Sequence, residues 1–300
     1  MASSVVEQLG FAASDRVAVV HVDDIGMCHA ANVGAFEALE NGPATCGSVM
    51  VPCPWFPEAA GRARANPRFD LGVHLTLNAE WTEYRWGPVA GRSRVPSLCD
   101  AEGYLPRSVG EVLKNARSDE VEIELRAQVD RALAAGIDVT HLDSHMGTVF
   151  FPQFLDVLVR LATAYRLPVF APPGHKDSLA RRGLERAAPL FEELAAKLRA
   201  VGVPTFDAFD DDSLDFPPGE GLAHNAKRLA DVVPGLNWLL CHAAQGGEEL
   251  TAVTPGSAHA REFERTFYGG EVGRRAFQEA GIRTVGMRPL RDLVRAARTA

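Results

Sequence analysis

The sequence predicts an α/β fold in which a mostly parallel sheet curls into a single (β/α) barrel-like domain spanning residues 1–300. Short apolar segments rich in β-branched residues alternate with longer amphipathic segments from end to end, and about eight segments have the strand pattern. A chain of 300 residues with 46% hydrophobic residues has enough material for a large core. No linker or shift in composition divides the chain, so one domain is expected.

The predicted strands and helices follow one another along the chain. The strands are residues 17–22, 46–51, 69–75, 137–142, 168–171, 204–206, 236–241 and 283–287, and their nearly continuous apolar runs are typical of strands covered on both faces. The helices are residues 30–41, 118–135, 152–165, 178–200, 224–232 and 271–280, in which apolar residues recur at helical spacing. Residues 78–107 are too long for a simple turn and are expected to form an irregular insertion, either beside the site or as a surface elaboration.

Charge and cysteine content exclude several classes of function. The chain has 31 Lys and Arg against 39 Asp and Glu, a net charge of -8, so neither nucleic acid nor an anionic membrane is expected as a partner. The 5 cysteines form no C-x-x-C pair, which favours a reducing cytoplasm over a disulfide framework or a zinc ribbon. The first residues lack the pattern of a signal peptide, and no run of about 18 apolar residues occurs. A cytoplasmic location is therefore predicted.

Four of the predicted strands end in ionisable side chains. In chain order these residues are Asp23, Asp24, His74, His141, Asp143, His145 and His242. Because the carboxyl ends of parallel barrel strands lie on one face, side chains from distant parts of the sequence would meet in one concave site there. A purely structural protein has no need of such a set.

The residue types favour a site that combines a metal ion with a proton-transferring carboxylate. Two adjacent carboxylates at the end of a buried strand repel each other unless a cation or a proton compensates, so one would bind a metal and the other would handle protons. Asp24 with His74 and His145 makes an Asp-His-His set, which leaves coordination positions open for water and substrate. Asp143 is expected to orient a ligand, and His21 to line the floor of the site. The alternative is that Asp24 only caps the following helix.

Several segments together are similar to one known family. They are Asp-Asp-x-Gly at 23–26, Gly-Val-His-Leu-Thr-Leu at 72–77, Val-Pro-Ser-Leu at 95–98, Thr-His-Leu-Asp-Ser-His at 140–145 and the closing segment 261–293. In order and spacing they resemble the carbohydrate deacetylases of the YdjC and ChbG type, also called the ChbG/HpnK family, over nearly the whole chain. The resemblance implies a metal-dependent hydrolase on a (β/α) barrel variant, which removes acetyl groups from small N-acetylated sugars or oligosaccharides.

By position, the resemblance implies a role for five residues. Asp24, His74 and His145 would bind one divalent metal ion, Mg²⁺ or Zn²⁺, while Asp23 would be the catalytic base and His242 the catalytic acid. The chain departs from the family at Gly147 and Val149, where histidines are usual, and at His21, where asparagine is usual. A substrate other than a chitooligosaccharide therefore stays open.

Two alternatives to this function remain at the level of sequence. One is a metal hydrolase acting on a different amide or on an ester, and the other is a metal-bearing protein that binds a sugar without turnover. Oligomeric state is open, with a homodimer as one alternative. Aromatic residues that could stack on a sugar ring are Trp55, Trp81, Tyr84, Trp86 and Phe150.

Overall fold

The computed structural model describes residues 4–173, 179–180, 183 and 185–297. Within them seven strands form one sheet in which every pairing is parallel. The strands are β1 (Arg16–Ile25), β2 (Cys46–Val49), β3 (Leu71–Leu75), β4 (Val139–Ser144), β5 (Ala208–Asp210), β6 (Gly235–Cys241) and β7 (Ile282–Thr284). The predicted fold class, α/β with a mostly parallel sheet, is confirmed.

The helices cover the sheet and connect its strands. They are α1 (Val5–Gln8), α2 (His29–Asn41), α3 (Phe56–Ala65), α4 (Val109–Asn115), α5 (Ser118–Ala134), α6 (Leu155–Tyr165), α7 (Ala188–Ala200), α8 (Gly221–Ala230), α9 (Glu248–Val253), α10 (Ala258–Tyr268), α11 (Glu271–Glu279) and α12 (Met287–Ala296). Local sequence explains where individual helices begin. Ser108 starts α4 with a capping box, in which its hydroxyl accepts the Glu111 N–H and the Glu111 carboxylate accepts the Ser108 N–H.

Strand β1 lies at the centre of the sheet, whose order is β4-β3-β2-β1-β6-β5. It pairs with β6 along one edge, and along the other it pairs first with β7 and then with β2. Residues 17–25 are all buried, as expected for a strand with both faces covered. This position lets β1 carry its last residues into the middle of the molecule.

Aromatic packing, rather than hydrogen bonding, brings the two ends of the sheet together. The predicted strand at 168–171 is reduced to one bridge between Val169 and Leu142, so it lies beside β4. From there Phe170 reaches the other end of the sheet, where it stacks on Trp238 with the ring centroids 4.1 Å apart. Phe206 and Phe209 also contact Phe170, at 5.9 and 6.2 Å between centroids. Among the described residues the sheet is not closed by strand pairing, and it is barrel-like through this packing.

Some element boundaries differ from the sequence prediction. The expected strand at 204–206 is displaced to β5, residues 208–210, and the strand expected at 283–287 ends at Thr284 because Met287 already begins α12. Of the helix expected at 178–200, residues 179–180 are helical and α7 begins at Ala188, where Pro189 suits the first turn, while residues 178, 181, 182 and 184 lie outside the described residues. Helices α1, α3, α4, α9, α10 and α12 were not predicted.

The irregular segment at 78–107 packs closely on the rest of the molecule. Within it only a short 3-10 turn, Pro96–Leu98, is regular, and the side chains of Trp86, Leu98 and Leu105 are buried. Two glutamates of α5 accept its backbone N–H groups: Glu124 binds residues 89 and 90, and Glu120 binds residue 97. In the described part of the chain, no helix has both the length and the apolar character needed to cross a membrane.

Candidate functional site

The carboxyl ends of β1, β3, β4 and β6 bring the predicted site residues together. Oδ1 of Asp24 lies 3.6 Å from Nε2 of His74 and 3.4 Å from Nδ1 of His145. Oδ2 of Asp23 lies 3.8 Å from Nε2 of His74 and 3.8 Å from Nε2 of His242. Residues separated by more than two hundred positions, such as Asp23 and His242, therefore form one cluster, as the strand pattern predicted.

The backbone at the end of β1 turns both adjacent carboxylates into this cluster. Side chains of successive strand residues normally point to opposite faces of a sheet. Asp24 has a φ of +62°, a left-handed conformation that aspartate tolerates better than most residues, and Gly26 follows with a φ of +92°. Because of this turn Asp23 and Asp24 both reach His74. A strained torsion held at the end of a central strand is typical of a functional position.

Asp24, His74 and His145 fit a metal ion. Their ligand atoms lie within 4.8 Å of one another, and all three side chains are buried. Among the described residues, buried Oδ1 of Asp24 has no hydrogen-bond partner. The separations of 3.4 and 3.6 Å are long for hydrogen bonds but resemble the spacing, about 3 to 3.5 Å, of two ligands bound to one ion at about 2.1 Å. An orphaned buried carboxylate oxygen facing two imidazoles suits a cation.

Each of these three residues is held from behind by another polar group. Nδ1 of His74 lies 2.7 Å from Oδ2 of Asp143, which is its direct neighbour across the β3–β4 pair. Nε2 of His145 lies 3.1 Å from a carboxylate oxygen of Glu80, and Oδ2 of Asp24 accepts a hydrogen bond of 2.8 Å from Arg261. Such partners fix the orientation of metal-binding side chains. The expectation that Asp143 orients a ligand agrees with its contact to His74.

Burial and neighbouring charges push the pKa values of the site residues apart. Burial raises the pKa of Asp23 well above its usual range, and the carboxylate of Asp143 raises it further. Burial also acts to raise the pKa of Asp24, but Arg261 and His145 outweigh it and hold that pKa well below normal. Burial would lower the pKa of His145, yet Glu80 and Asp24 raise it to about 10. The site thus contains one proton-binding carboxylate beside one fixed anion.

A buried chain of hydrogen bonds runs from Asp23 into the core. Nδ1 of His21 lies 2.6 Å from Oδ1 of Asp23, and the Nε2 atoms of His21 and His141 are 2.9 Å apart. Thr140 then connects Nδ1 of His141 to Asp70. Burial lowers the pKa of His21 to about 4, so its imidazole is neutral at pH 7. His21 lies below the site as predicted, and it occupies one oxygen of Asp23 while leaving Oδ2 facing the cluster.

A cavity of about 450 Å³ opens beside Asp23 and His242. Its wall is mostly apolar and includes Met146, Gly147, Phe150, Phe151, Phe170, Leu190, Phe191, Phe209 and Leu240. Of the aromatic residues predicted to contact sugar, Phe150 lines this cavity. Trp86 is instead buried and donates its indole N–H to the Asn78 carbonyl, and Trp55 packs against His29 with the ring centroids 4.9 Å apart. Asp143 and Ser144 are among the polar residues that line the cavity.

Sequence reasoning missed several polar residues of the site. Glu80 comes from the irregular segment, Ser48 from β2 contacts Nδ1 of His74 at 2.9 Å, and Arg261 comes from the unpredicted helix α10. A signal for Arg261 exists in retrospect. Both Arg261 and Glu264 lie on the buried side of α10, and charged residues on the buried side of a helix need partners in the interior.

Known proteins resemble this chain over most of its length. The model of the YdjC-like protein family matches residues 17–279. A carbohydrate deacetylase of Thermus thermophilus is 40% identical over 239 residues, 80% of this chain and 81% of the relative. A carbohydrate deacetylase of Brevibacillus brevis is 30% identical over 270 residues, 88% of this chain and 99% of the relative.

A solved structure also has the same fold. It is a protein of Enterococcus faecalis V583 described as a cellobiose-phosphate cleavage protein, and it aligns with 92% of this chain and 99% of its own. The TM-score is 0.75 at 23% sequence identity. At this identity the likeness concerns the arrangement of strands and helices.

Proposed function

This chain belongs to the YdjC-like family, and we propose that it hydrolyses the acetamide of an N-acetylated sugar in a metal-dependent reaction. The observation that carries the proposal is the orphaned Oδ1 of Asp24, which faces His74 and His145 while Asp23 and His242 lie beside them. Amide hydrolysis needs an activated water, a stabilised oxyanion and a protonated leaving nitrogen. The cluster holds residues suited to each requirement. Relatives named carbohydrate deacetylases support the sugar as substrate.

Asp24, His74 and His145 would hold one divalent ion. When bound, such an ion supplies Lewis-acid chemistry, which lowers the pKa of water and stabilises negative charge on the amide oxygen. Asp-His-His sets accept Mg²⁺ and Zn²⁺, and the choice depends on coordination geometry and on metal availability. The partners behind the ligands, Asp143 and Glu80, orient the imidazoles for binding.

Asp23 would act as the base. Its Oδ1 is fixed by His21, so Oδ2 is the oxygen directed at the reacting groups, 3.8 Å from His74 and from His242. A raised pKa makes a carboxylate a stronger base, which suits the removal of a proton from the attacking water. His242, on the other side of Asp23, would give a proton to the leaving nitrogen, and acetate and a free amino sugar would separate.

The cavity beside Asp23 and His242 would hold the sugar. Apolar faces of sugar rings pack on aromatic side chains, and Phe150 and Phe151 offer such surfaces at this cavity. Gly147 also lines this cavity, and a Cβ atom at its position would already be in van der Waals contact with Phe150, at 3.6 Å. The histidine that is usual in the family at this position would reduce the volume of the cavity. We therefore expect this protein to accept N-acetylated substrates with bulkier groups around the acetamide.

Acetate release tests the proposal. The substrates are N-acetylglucosamine, its oligomers and a few other N-acetylated compounds, incubated with chelated protein and with protein reloaded with Mg²⁺ or Zn²⁺. We expect acetate only with metal and only while His145 is intact, so the His145→Ala variant should be inactive at every metal concentration that leaves it folded. Activity that survives chelation would contradict the metal dependence.

A second candidate is hydrolysis of a different amide or of an ester at the same site. The apolar wall of the cavity favours it, because such a wall offers few hydrogen-bond partners to sugar hydroxyls. Aryl acetates and N-acetylated amines without a sugar belong in the same assay. Faster turnover of these compounds than of every sugar would favour the second candidate, whereas metal and ligand binding with no product at all would indicate a binding protein.

A further inference from the structure

Behind His242 lies a buried chain of polar groups that has no role in the reaction as described so far. Nδ1 of His242 is 2.9 Å from the hydroxyl of Ser213. The same hydroxyl is 2.7 and 2.8 Å from the two carboxylate oxygens of Glu264 on α10. Ser213 and Glu264 have no exposed surface. The chain therefore connects the solvent-excluded Glu264 to the imidazole that faces Asp23.

The hydrogen bonds that connect Glu264, Ser213 and His242 can be arranged in two ways, which differ in the position of the hydrogens. A serine hydroxyl has one hydrogen to donate. When Glu264 is ionised, Ser213 must donate to it, so Nδ1 of His242 carries a hydrogen that it donates to Ser213, and Nε2 is bare. When Glu264 is protonated, it donates to Ser213, which donates to Nδ1, and Nε2 then carries a hydrogen toward the site. The protonation state of Glu264 thereby sets the tautomer of His242.

We propose that Glu264 is the proton reservoir for the leaving group, and that Ser213 and His242 relay its proton to the nitrogen of the scissile amide. The inference rests on the proposed amide hydrolysis. As the C–N bond breaks, the nitrogen takes the hydrogen from Nε2 of His242, Nδ1 takes the hydrogen of Ser213, and Ser213 takes the proton of Glu264. The proton that Asp23 removed from water returns through Nε2, 3.8 Å away, and restores Glu264.

The surroundings of Glu264 allow it to hold and to lose a proton. Burial raises the pKa of Glu264 to about 7, against the opposing charge of Arg228, so both forms are populated near neutral pH. The guanidinium of Arg228 lies 3.4 Å from Oε1 and also pairs with Asp210, while the backbone N–H of His242 donates to Oε2 at 2.6 Å. Tyr268, Cys241 and Arg261 are the other ionisable neighbours of this cluster. Arg228, the backbone N–H of His242 and Arg261 stabilise the carboxylate left after proton transfer.

The relay is tested by the dependence of kcat on the leaving group of the substrate. An amide nitrogen needs a proton to leave, whereas the 4-nitrophenolate of 4-nitrophenyl acetate leaves without one. Ser213→Ala should therefore lower kcat for N-acetylglucosamine by about a hundredfold to ten-thousandfold, the usual range for general acid catalysis, and should lower kcat for the ester far less. Ser213→Thr keeps the hydroxyl and should restore most of the amide activity. Ser118→Ala, the same change at an exposed hydroxyl away from the site, should alter neither rate.

Three results distinguish the outcomes. If Ser213→Ala lowered kcat equally for the amide and the ester, the hydrogen bonds between Glu264, Ser213 and His242 would only support the fold. An unchanged kcat for the amide in this variant would also overturn the relay. Failure of the proposed function is separate, because the wild-type protein itself would then release no acetate from any N-acetylated compound.

A second measurement does not require turnover. Nitrogen-15 NMR of the His242 ring, assigned with a His242→Gln variant, reports which nitrogen carries the hydrogen. At a pH well above the pKa of Glu264 we expect the Nδ1–H tautomer in the wild-type protein, and loss of that preference in Ser213→Ala and Glu264→Gln. An Nε2–H tautomer in the wild-type protein at that pH would contradict the relay.

Discussion

Asp23 and Asp24 are neighbours in the chain, but their surroundings give them different chemistry. Asp24 is paired with Arg261 through one oxygen and faces two imidazoles with the other. Asp23 is instead buried near Asp143, and its pKa is raised while that of Asp24 is lowered. When the pKa values of two adjacent titratable groups are shifted in opposite directions, the group with the raised pKa is suited to proton transfer. The group with the lowered pKa stays an anion and is suited to binding a cation.

Replacing Asp23 with asparagine tests this division of roles. Asp23→Asn keeps the shape of the side chain and its contact with His21, but the amide cannot accept the proton of water. We expect acetate release to fall by at least about a hundredfold, the usual size of a general-base contribution, while bound metal stays at the wild-type level. Steady-state kinetics measure the rate of acetate release, and elemental analysis of the purified variant measures the bound metal. Activity near the wild-type level would reject Asp23 as the base.

Glu80 offers a second test at the scale of single residues. Its carboxylate lies 3.1 Å from Nε2 of His145 and so fixes which nitrogen faces Asp24. Removing such a supporting partner costs about tenfold to a hundredfold in metal affinity. We expect this loss in Glu80→Gln, measured by calorimetric titration of metal into the chelated protein. Glu102→Gln is the matched control, because Glu102 lies in the same irregular segment with its side chain exposed. Equal affinities in the two variants would contradict the role of Glu80.

Sequence reasoning reached the residues on or just after strands, including the supporting Asp143 and His21, and missed the supporting residues that come from other elements. Asp24, His74, His145 and His242 could be found because an ionisable residue after an apolar strand has an unambiguous location in a parallel sheet. Glu80, Ser213 and Glu264 come from irregular segments and from a helix, and their contacts with the strand ends depend on tertiary packing. A pattern in one dimension contains no information about which loop folds over which strand.

At the scale of elements, the position of His242 depends on the packing of α2 against the segment that follows β6. Gly34 of α2 lies against this segment, and a Cβ atom on Gly34 would come within 2.5 Å of the backbone of Ala244. Real Cβ atoms do not approach backbone so closely, so the helix can lie at this depth only with glycine there. The main chain that carries His242 thus rests on the surface of α2.

Gly34→Ala should reverse the usual effect of this substitution in a helix. Alanine normally stabilises an exposed helical position, by about 0.4–1 kcal/mol relative to glycine. Here the added methyl group must push α2 away from Ala244, and overpacking of this kind costs about 1–3 kcal/mol. We expect a lower midpoint of urea unfolding together with a lower kcat, because His242 moves with the displaced segment.

The control for this substitution is Gly110→Ala in α4. A Cβ atom on Gly110 meets nothing within 4 Å, so alanine there should raise the unfolding midpoint slightly and leave kcat unchanged. If Gly34→Ala also stabilised the protein, the close approach of α2 to Ala244 would not be tight in solution.

Prediction of strands and helices succeeded for long elements with a regular apolar pattern. It failed for helices whose buried face contains charged as well as apolar residues. Strand β1 and helix α5 were found because their patterns extend over many residues. Helices α10 and α12 have the buried charged residues Arg261, Glu264 and Arg291 on their inner faces. These residues interrupt the apolar pattern by which a helix is recognised in the sequence. The strand expected at 168–171 forms a single bridge because its residues are used for contact between the sheet ends rather than for pairing.

At the scale of the whole molecule, the site depends on a sheet whose two ends meet through side chains. Phe170 lies beyond β4, and its contacts with Phe206, Phe209 and Trp238 bind that end of the sheet to β5 and β6. Its ring also lines the cavity beside Asp23 and His242. Since the proposed metal ligands lie at the ends of β1, β3 and β4 while His242 follows β6, this junction sets the spacing between the two halves of the site.

Phe170→Ala should therefore affect stability and activity together. Removing a buried phenylalanine costs about 3–5 kcal/mol of unfolding free energy, and here it also releases the contact between the sheet ends. Phe277→Ala is the matched control, because Phe277 of α11 is equally buried but lies outside the cavity. Both variants should show lower midpoints of urea unfolding. Under conditions where both are folded, only Phe170→Ala should lose kcat, since His242 would no longer be held at a fixed distance from Asp23. Equal kcat values in the two variants would mean that strand pairing alone, from β4 through β6, is enough to fix the site.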